Sequence, residues 1–251
     1  MTPISSYRAH ILHRYPYRDT SLLLDVLTEH GSRIGLIAKG ARRPRSPFRG
    51  LMEPFQPLTI AWLGRGELGS LVSAEACGVP IGLPGTRLII GFYINELVLR
   101  LIQRHDPHPG LYEDYEYTLH QLAALQLSDK LGAERLLRLF EKHLLETMGY
   151  ALLLELDAQT HQPIDATKNY CYDIERGPVE QTLAHRSGTV ISGAHLIALR
   201  CNNLNSVESL RQVKGLMRTL LAVHLNGRPL ASRQIMADVE QSLRAATSKN
   251  D

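Results

Sequence analysis

The chain has 251 residues, 28 Lys+Arg against 25 Asp+Glu, and a formal net charge of +3 with histidine neutral. Its 44% hydrophobic content supplies a sizeable core and excludes wholesale disorder. No apolar run approaches the ~18 residues that span a bilayer, nothing near the N-terminus reads as a signal peptide, and Cys77, Cys171 and Cys201 are too few and too scattered for a disulfide scaffold, so a cytoplasmic protein of one large or two modest domains is expected.

Short segments with β-branched or alternating residues come first. Tyr7–Tyr15 and Ser21–Thr28 read as strands, and Glu29-His30-Gly31-Ser32 turns the chain into a third, Arg33–Lys39. Leu58, Ile60 and Trp62 alternate through a fourth strand, which places Trp62 in the core, and Leu68–Cys77 forms a fifth. Five strands in so short a span suit an open barrel of the OB type, with a small SH3-like barrel as the other pattern-compatible solution. Gly78, Pro80, Gly82, Pro84 and Gly85 then break both helix and strand and mark a boundary.

Beyond it the apolar period becomes 3.6. Thr86 is placed to cap a helix carrying Leu88, Ile89, Phe92, Tyr93, Leu97 and Leu101, and Leu111–Leu125 gives a second. The third, Asp129–Met148, lines Leu136, Leu137, Phe140, Leu144 and Met148 along one face and stops at Gly149. Residues 155–192 lose this order, apart from a hairpin of Tyr170–Ile174 and Val179–Leu183 around Arg176-Gly177-Pro178. Helices resume at Ala194–Arg200, at Val207–Leu225 behind an Asn205…Glu208 capping box, and at Ser232–Leu243. The fold class is therefore α+β: an N-terminal five-stranded OB-type barrel over 1–79, then a mainly helical domain over 80–251 with an irregular insert at about 155–192.

Charge is the most informative feature. Residues 1–80 hold 10 Lys+Arg against 6 Asp+Glu, whereas residues 81–251 hold 18 against 19. Arg33, Lys39, Arg42, Arg43, Arg45 and Arg49 fall in a window, 30–52, that contains no acid. Gly40, Pro44, Pro47 and Gly50 make most of that window a loop, expected to project into solvent. Planar guanidinium forks match phosphate oxygens, so a nucleic-acid backbone site on the barrel is expected, against the plainer reading of a loop kept soluble by its charge. Phe48, inside the loop, is the better base-stacking candidate. Two further stripes, Arg135/Arg138/Lys142 and Arg211/Lys214/Arg218, repeat at helical spacing, and on neighbouring helices they would flank an apolar groove. Ordinary solvated faces, paired with Glu134, Glu141 and Glu208, explain the same pattern.

Other motifs are set aside. Gly64–Gly69 matches G-x-G-x-x-G, yet a strand pattern follows where a dinucleotide site needs a helix, so a hairpin turn is expected. There is no P-loop. His105, His108, His161, Cys171, His185 and Cys201 are too dispersed for structural zinc, and no nucleophile–base constellation is visible; no cofactor, metal or catalytic residue is expected.

Three blocks carry a resemblance: Asp19-Thr20-Ser21-Leu22-Leu23-Leu24-Asp25-Val26-Leu27-Thr28, Gly35-Leu36-Ile37-Ala38-Lys39-Gly40-Ala41-Arg42 and Tyr93-Ile94-Asn95-Glu96-Leu97. With Phe140-Glu141, Met148-Gly149-Tyr150, Arg228-Pro229-Leu230 and Ser232-Arg233, they make the chain similar, over nearly its whole length, to the RecO family of bacterial DNA repair and recombination mediators. The resemblance implies an OB domain, a helical bundle, and no enzyme. It implies binding of single- and double-stranded DNA, annealing of complementary strands, and loading of RecA onto single strands, with RecR and the acidic C-terminal tail of the single-stranded DNA-binding protein as partners in the bacterial nucleoid. DNA binding is carried onto Lys39, Arg42, Arg43 and Arg45. The helical stripes supply the tail a candidate site, with Arg135, Arg138 and Lys142 beside the apolar Phe140 and with Arg211, Lys214 and Arg218 closing the groove, and the family correspondence points to Arg138 as the cation for the tail's terminal carboxylate. Many relatives hold a four-cysteine zinc module where this chain, over roughly Asp157–Arg200, keeps only Cys171 with Cys201 just beyond, so a metal-free branch is implied. The rival classes are a small-molecule enzyme using Gly64–Gly69 for a nucleotide cofactor, and a protein-interaction scaffold without DNA binding.

Overall fold

Alternating apolar residues in the first 76 positions close a barrel. In the computed structural model, which describes residues 5–64, 66–182 and 188–247, the strands are β1 (Tyr7–Tyr17), β2 (Ser21–Thr28), β3 (Arg33–Ala38), β4 (Leu58–Leu63) and β5 (Gly69–Ala76). They pair in the order β1-β2-β3-β5-β4, with β1 also bonded to β4. All neighbours are antiparallel except β3 and β5, whose parallel pairing at Leu36↔Gly69 and Ile37↔Ser70 closes the ring. Closure leaves no open sheet edge, and the arrangement is the expected OB-type barrel.

Inside the barrel, Ala9, Ile11, Leu24, Val26, Leu36, Leu58 and Ile60 form the core. The first half of β1 is buried on both faces, because helices cover its outer side. There Asn95 donates to the Leu12 carbonyl at 2.9 Å, and the Tyr115 hydroxyl donates to Asn95 at 2.7 Å. A bulge between Ala61 and Trp62 breaks the alternation of β4, so Trp62 is half-buried against the core and its ring lies 5.1 Å from that of Tyr7.

Helices α1 (Thr86–Leu101) and α2 (Leu111–Ala124) follow; Gly85, at φ 62, rather than Thr86 occupies the α1 N-cap, with no side-chain cap bond. The chain folds as two compact units, Met1–Ala124 with Leu230–Asp251, and Leu125–Pro229. The return of the C-terminal segment has a local cause. Glu96 on α1 accepts the amides of Ala231 and Ser232 at 3.0 and 2.9 Å and the Ser232 hydroxyl at 2.6 Å. It thereby supplies partners to the otherwise orphaned first amides of α6 (Ala231–Thr247). Burial pushes the Glu96 carboxyl pKa up, but the bonds from Ser232 and Ala231, helped by Arg100, bring it below its usual value.

In the second unit, α3 (Lys130–Thr147) starts at Asp129, whose carboxylate accepts the Gly132 amide at 2.7 Å. Three short strands, β6 (Asn169–Asp173), β7 (Gly177–Glu180) and β8 (Thr189–Ser192), form a sheet in the order β7-β6-β8. The expected hairpin is β6–β7; Leu183, the far end of its second strand, lies outside the described residues. Strand β8 was not read from the sequence, being four residues long and defined by its pairing with β6, as at Tyr170↔Ile191. Asp157 anchors the preceding loop by accepting the amides of Gln159, Thr160 and Glu180 at 2.7–2.8 Å. Helices α4 (Gly193–Arg200) and α5 (Val207–His224) complete the unit. Ser206, not Asn205, caps α5, because its hydroxyl is the group that reaches the Ser209 amide at 3.0 Å. No helix among the described residues is long and apolar enough to cross a membrane.

Candidate nucleic-acid interface

The basic segment connects β3 to β4 and is built as a chain of tight turns. The amides of Arg43, Ser46, Arg49 and Leu51 bond the carbonyls of Gly40, Arg43, Ser46 and Phe48 at 3.0–3.2 Å. Apolar residues interrupt the arginines, and three of them, Ala41, Phe48 and Met52, are buried in the barrel core. The expectation of a projecting loop is therefore corrected: burial of those side chains folds it back onto the barrel. The Arg42 amide also bonds the Thr20 carbonyl at 2.8 Å, tying the loop to the turn between β1 and β2. Phe48 is 8% exposed and is not a stacking platform.

With the apolar members inward, Lys39, Arg42, Arg43, Arg45 and Arg49 all stand exposed. Arg49 also donates to the Pro44 carbonyl at 3.1 Å, which steadies its guanidinium beside the loop. Arg33, the sixth predicted cation, stands apart. It lies in β3, with Nε 3.9 Å from Asp25 and its head group donating to the Leu99 carbonyl. Arg104 bonds the same Asp25 carboxylate at 2.8 Å. Burial lowers the Arg33 pKa, Asp25 opposes this, and Arg104 adds to it. These partners hold Arg33 as part of the scaffold rather than as a free phosphate contact.

The structure adds two cations that the charge window does not contain. Arg14, on β1, is paired with Glu53 at 2.6 Å, and Arg18, in the β1–β2 turn, places its guanidinium 5.2 Å from the Tyr17 ring centroid. Between the hairpin and the loop lies a cleft of about 660 Å³, lined by Arg14, Pro16 and Leu22 on one side and by Arg42, Arg43, Arg49, Phe48 and Met52 on the other. The sequence did signal it in part, since Arg14 and Arg18 belong to a hairpin, but only the Arg42–Thr20 contact shows which loop faces them. In the Gly64–Gly69 segment, β5 begins at Gly69, and no helix N-terminus follows to face a pyrophosphate. Arg65 lies outside the described residues.

The seven tail residues in the second unit divide by exposure. Phe140 is 1% exposed and packs in the interior. Arg138 is 4% exposed, its guanidinium 2.8 Å from the Glu141 carboxylate, itself fully buried. Lys142 is buried too, and donates to the carbonyls of Leu199 and Arg200 at the end of α4 and to Asn202. Arg138 and Lys142 are corrected from a rim to an interior position, because this part of α3 faces the packed side of the unit, where the apolar spacing already placed Phe140. Arg135 bonds Asn205 at 2.9 Å, Lys214 bonds Glu134 at 3.1 Å across α3 and α5, and Arg211 bonds Glu208 on its own helix. Arg211 and Arg218 are exposed.

A closed five-stranded barrel with a basic β3–β4 loop, followed by helices, defines an OB-type barrel protein with an appended helical region. Residues 1–79 match the family model for the N-terminal domain of recombination protein O, and residues 84–234 match the model for its C-terminal domain. The chain belongs to the RecO family. It is similar to the DNA repair protein RecO of Nitrosospira multiformis, 42% identical over 93% of this chain and 95% of that one. The DNA repair protein RecO of Methylococcus capsulatus is 44% identical over 90% of each chain, and that of Nitrosococcus oceani 42% over 93% of each.

Proposed function

We propose that the protein is a non-enzymatic DNA repair and recombination mediator. It holds single- and double-stranded DNA through phosphates on the barrel loop, anneals complementary strands, and helps load RecA onto single strands covered by the single-stranded DNA-binding protein. One observation carries this reading: Lys39, Arg42, Arg43, Arg45 and Arg49 are all exposed on one loop that the barrel core pins down. Pinning matters, because the backbone that carries these cations loses little further freedom on binding. Phosphate contacts position a strand without specifying its sequence, so most bases stay free to find a complement.

In the second unit, Arg211 and Arg218, exposed on α5, with the half-buried Arg135 on α3 and Lys214 on α5, are the surface offered to the acidic tail of the single-stranded DNA-binding protein. RecR is the further partner, and the protein works in the bacterial cytoplasm at the nucleoid. Each phosphate neutralised on a single strand contributes about −0.7 to the slope of log K against log salt. Arg42→Ala/Arg43→Ala/Arg45→Ala should flatten that slope by about 2 and weaken binding alike for all sequences. An unchanged slope in the folded triple variant would remove the loop from the interface.

A further inference from the structure

We propose that the cleft between the β1–β2 hairpin and the β3–β4 loop receives one unpaired nucleotide of a single strand, its base on the apolar floor and its flanking phosphates on the two arginine rims. The inference rests on the backbone-binding reading above and adds a base to it. At about 660 Å³ the cleft lies within the range of small-molecule sites, ~300–1,000 Å³. Its apolar lining combines Pro16 and Pro44, both exposed, with Leu22, Phe48 and Met52, which belong to the barrel core and are at most 8% exposed. The apolar surface there is thus already set in place, which lowers the cost of binding a flat ring.

The rims give the order of the ligand's parts. Arg14 stands on the hairpin side, and Arg42, Arg43 and Arg49 stand on the loop side. Positive charge on both sides of an apolar centre matches a nucleotide within a strand, which offers phosphate, base and phosphate in turn. Guanidinium planes also stack on rings, so an arginine at the edge can cover a base as well as bind its phosphate. Glu53 is the single acid among the lining residues, and it is held on Arg14 at 2.6 Å. An incoming phosphate competes with that carboxylate for Arg14. A paired base enters only after unstacking and unpairing, at a cost of a few kcal/mol. The cleft therefore marks a strand as single while neighbouring bases remain outside and able to pair.

The experiment compares two 20-mers that carry the same phosphates, one of thymidylate and one with every base removed, binding to the full chain by fluorescence anisotropy. Base contacts of this kind are worth ~1–3 kcal/mol, so the intact strand should bind about tenfold more tightly at equal salt, with the same salt slope. Pro16→Trp, which places a ring at the hairpin side of the cleft, should bring the two strands to equal affinity with the slope kept. An independent readout is a 5-iodouracil strand photocrosslinked to the unmodified protein, with adducts expected within residues 41–53. Equal affinity of the two strands for the unmodified protein, or adducts only outside the hairpin and the loop, overturns the cleft assignment and leaves the backbone reading standing. Absence of salt-dependent binding to either strand overturns both. If the two strands bind equally and an acidic peptide ending in an aromatic residue is held by the unmodified protein but not by Pro16→Trp, the cleft is a peptide site and the inference fails.

Discussion

Glu116→Gln tests whether one carboxylate holds β1 onto α2. Glu116 on α2 accepts the Arg8 guanidinium at 2.9 and 3.0 Å, faces a ring nitrogen of the buried His10 at 3.0 Å, and accepts the Tyr112 hydroxyl at 2.9 Å. Burial alone would push its carboxyl up. The hydrogen bonds from His10 and Tyr112 and the charges of His10 and Arg8 outweigh that and hold its pKa at about 2, down from an ordinary 4.5. That displacement corresponds to ~3 kcal/mol. Because the Arg8 side chain is 53% exposed, solvent screens part of this, and ~2 kcal/mol is the expected loss at pH 7.

The sign follows from the lowered folded-state pKa. The carboxylate's contribution is complete above pH 4.5 and disappears as pH falls through about 2. At pH 3.5 about 60% of it should remain, so the gap between the natural protein and the Gln variant should narrow by ~40% between pH 7 and pH 3.5. Urea unfolding followed by circular dichroism at both pH values measures the gap. A Gln variant as stable as the natural protein at pH 7, or a gap that widens on acidification, refutes the assignment of Glu116 as the anchor.

Arg138→Ala removes the cation facing the fully buried Glu141 and should destabilise the second unit by ~3–5 kcal/mol, whereas Arg138→Met/Glu141→Leu should recover most of that in thermal melts; a melting temperature unchanged by Arg138→Ala would place Arg138 back on the surface. Glu53→Gln should leave stability nearly unchanged, because both members of its ion pair are exposed. The same change frees Arg14, so single-strand binding should tighten several-fold at low salt and steepen in salt by ~0.7, as anisotropy titration would report; weaker binding would exclude Arg14 from the interface. Gly193→Ala should cost ~2 kcal/mol or more by urea unfolding, since a Cβ there would lie 1.9 Å from the Asp165 carbonyl oxygen.

The strand and helix order was legible because periodicity is a local property. A half-buried strand writes period 2 and an amphipathic helix 3.6, and from Tyr7 to Ala124 the elements fall within a few residues of where those periods place them. The basic loop was legible for the same reason, since five of its cations are consecutive enough to be counted without any fold. Where two residues compete for a role within one turn, pattern alone does not decide. Asn205 and Ser206 both suit a cap, and the reach of the Ser206 hydroxyl to the Ser209 amide gave it to Ser206.

What the sequence by itself determined is the class of every element except the short β8, the barrel with its helices, and the charge of the β3–β4 loop. Tertiary structure decided which of the charged residues are free. Arg33 is drawn out of the cluster by Asp25 and Arg104, the latter 79 residues from Asp25, and Arg14 is brought beside it by the Arg42–Thr20 backbone bond and the pair with Glu53, which no local pattern records. Likewise Arg138 and Lys142 have the helical spacing of a solvent stripe, yet Glu141 and the end of α4 hold them inside. The reason is physical: a side chain's charge is fixed by its chemistry, whereas its availability depends on desolvation and on partners that only the folded chain brings within hydrogen-bond reach.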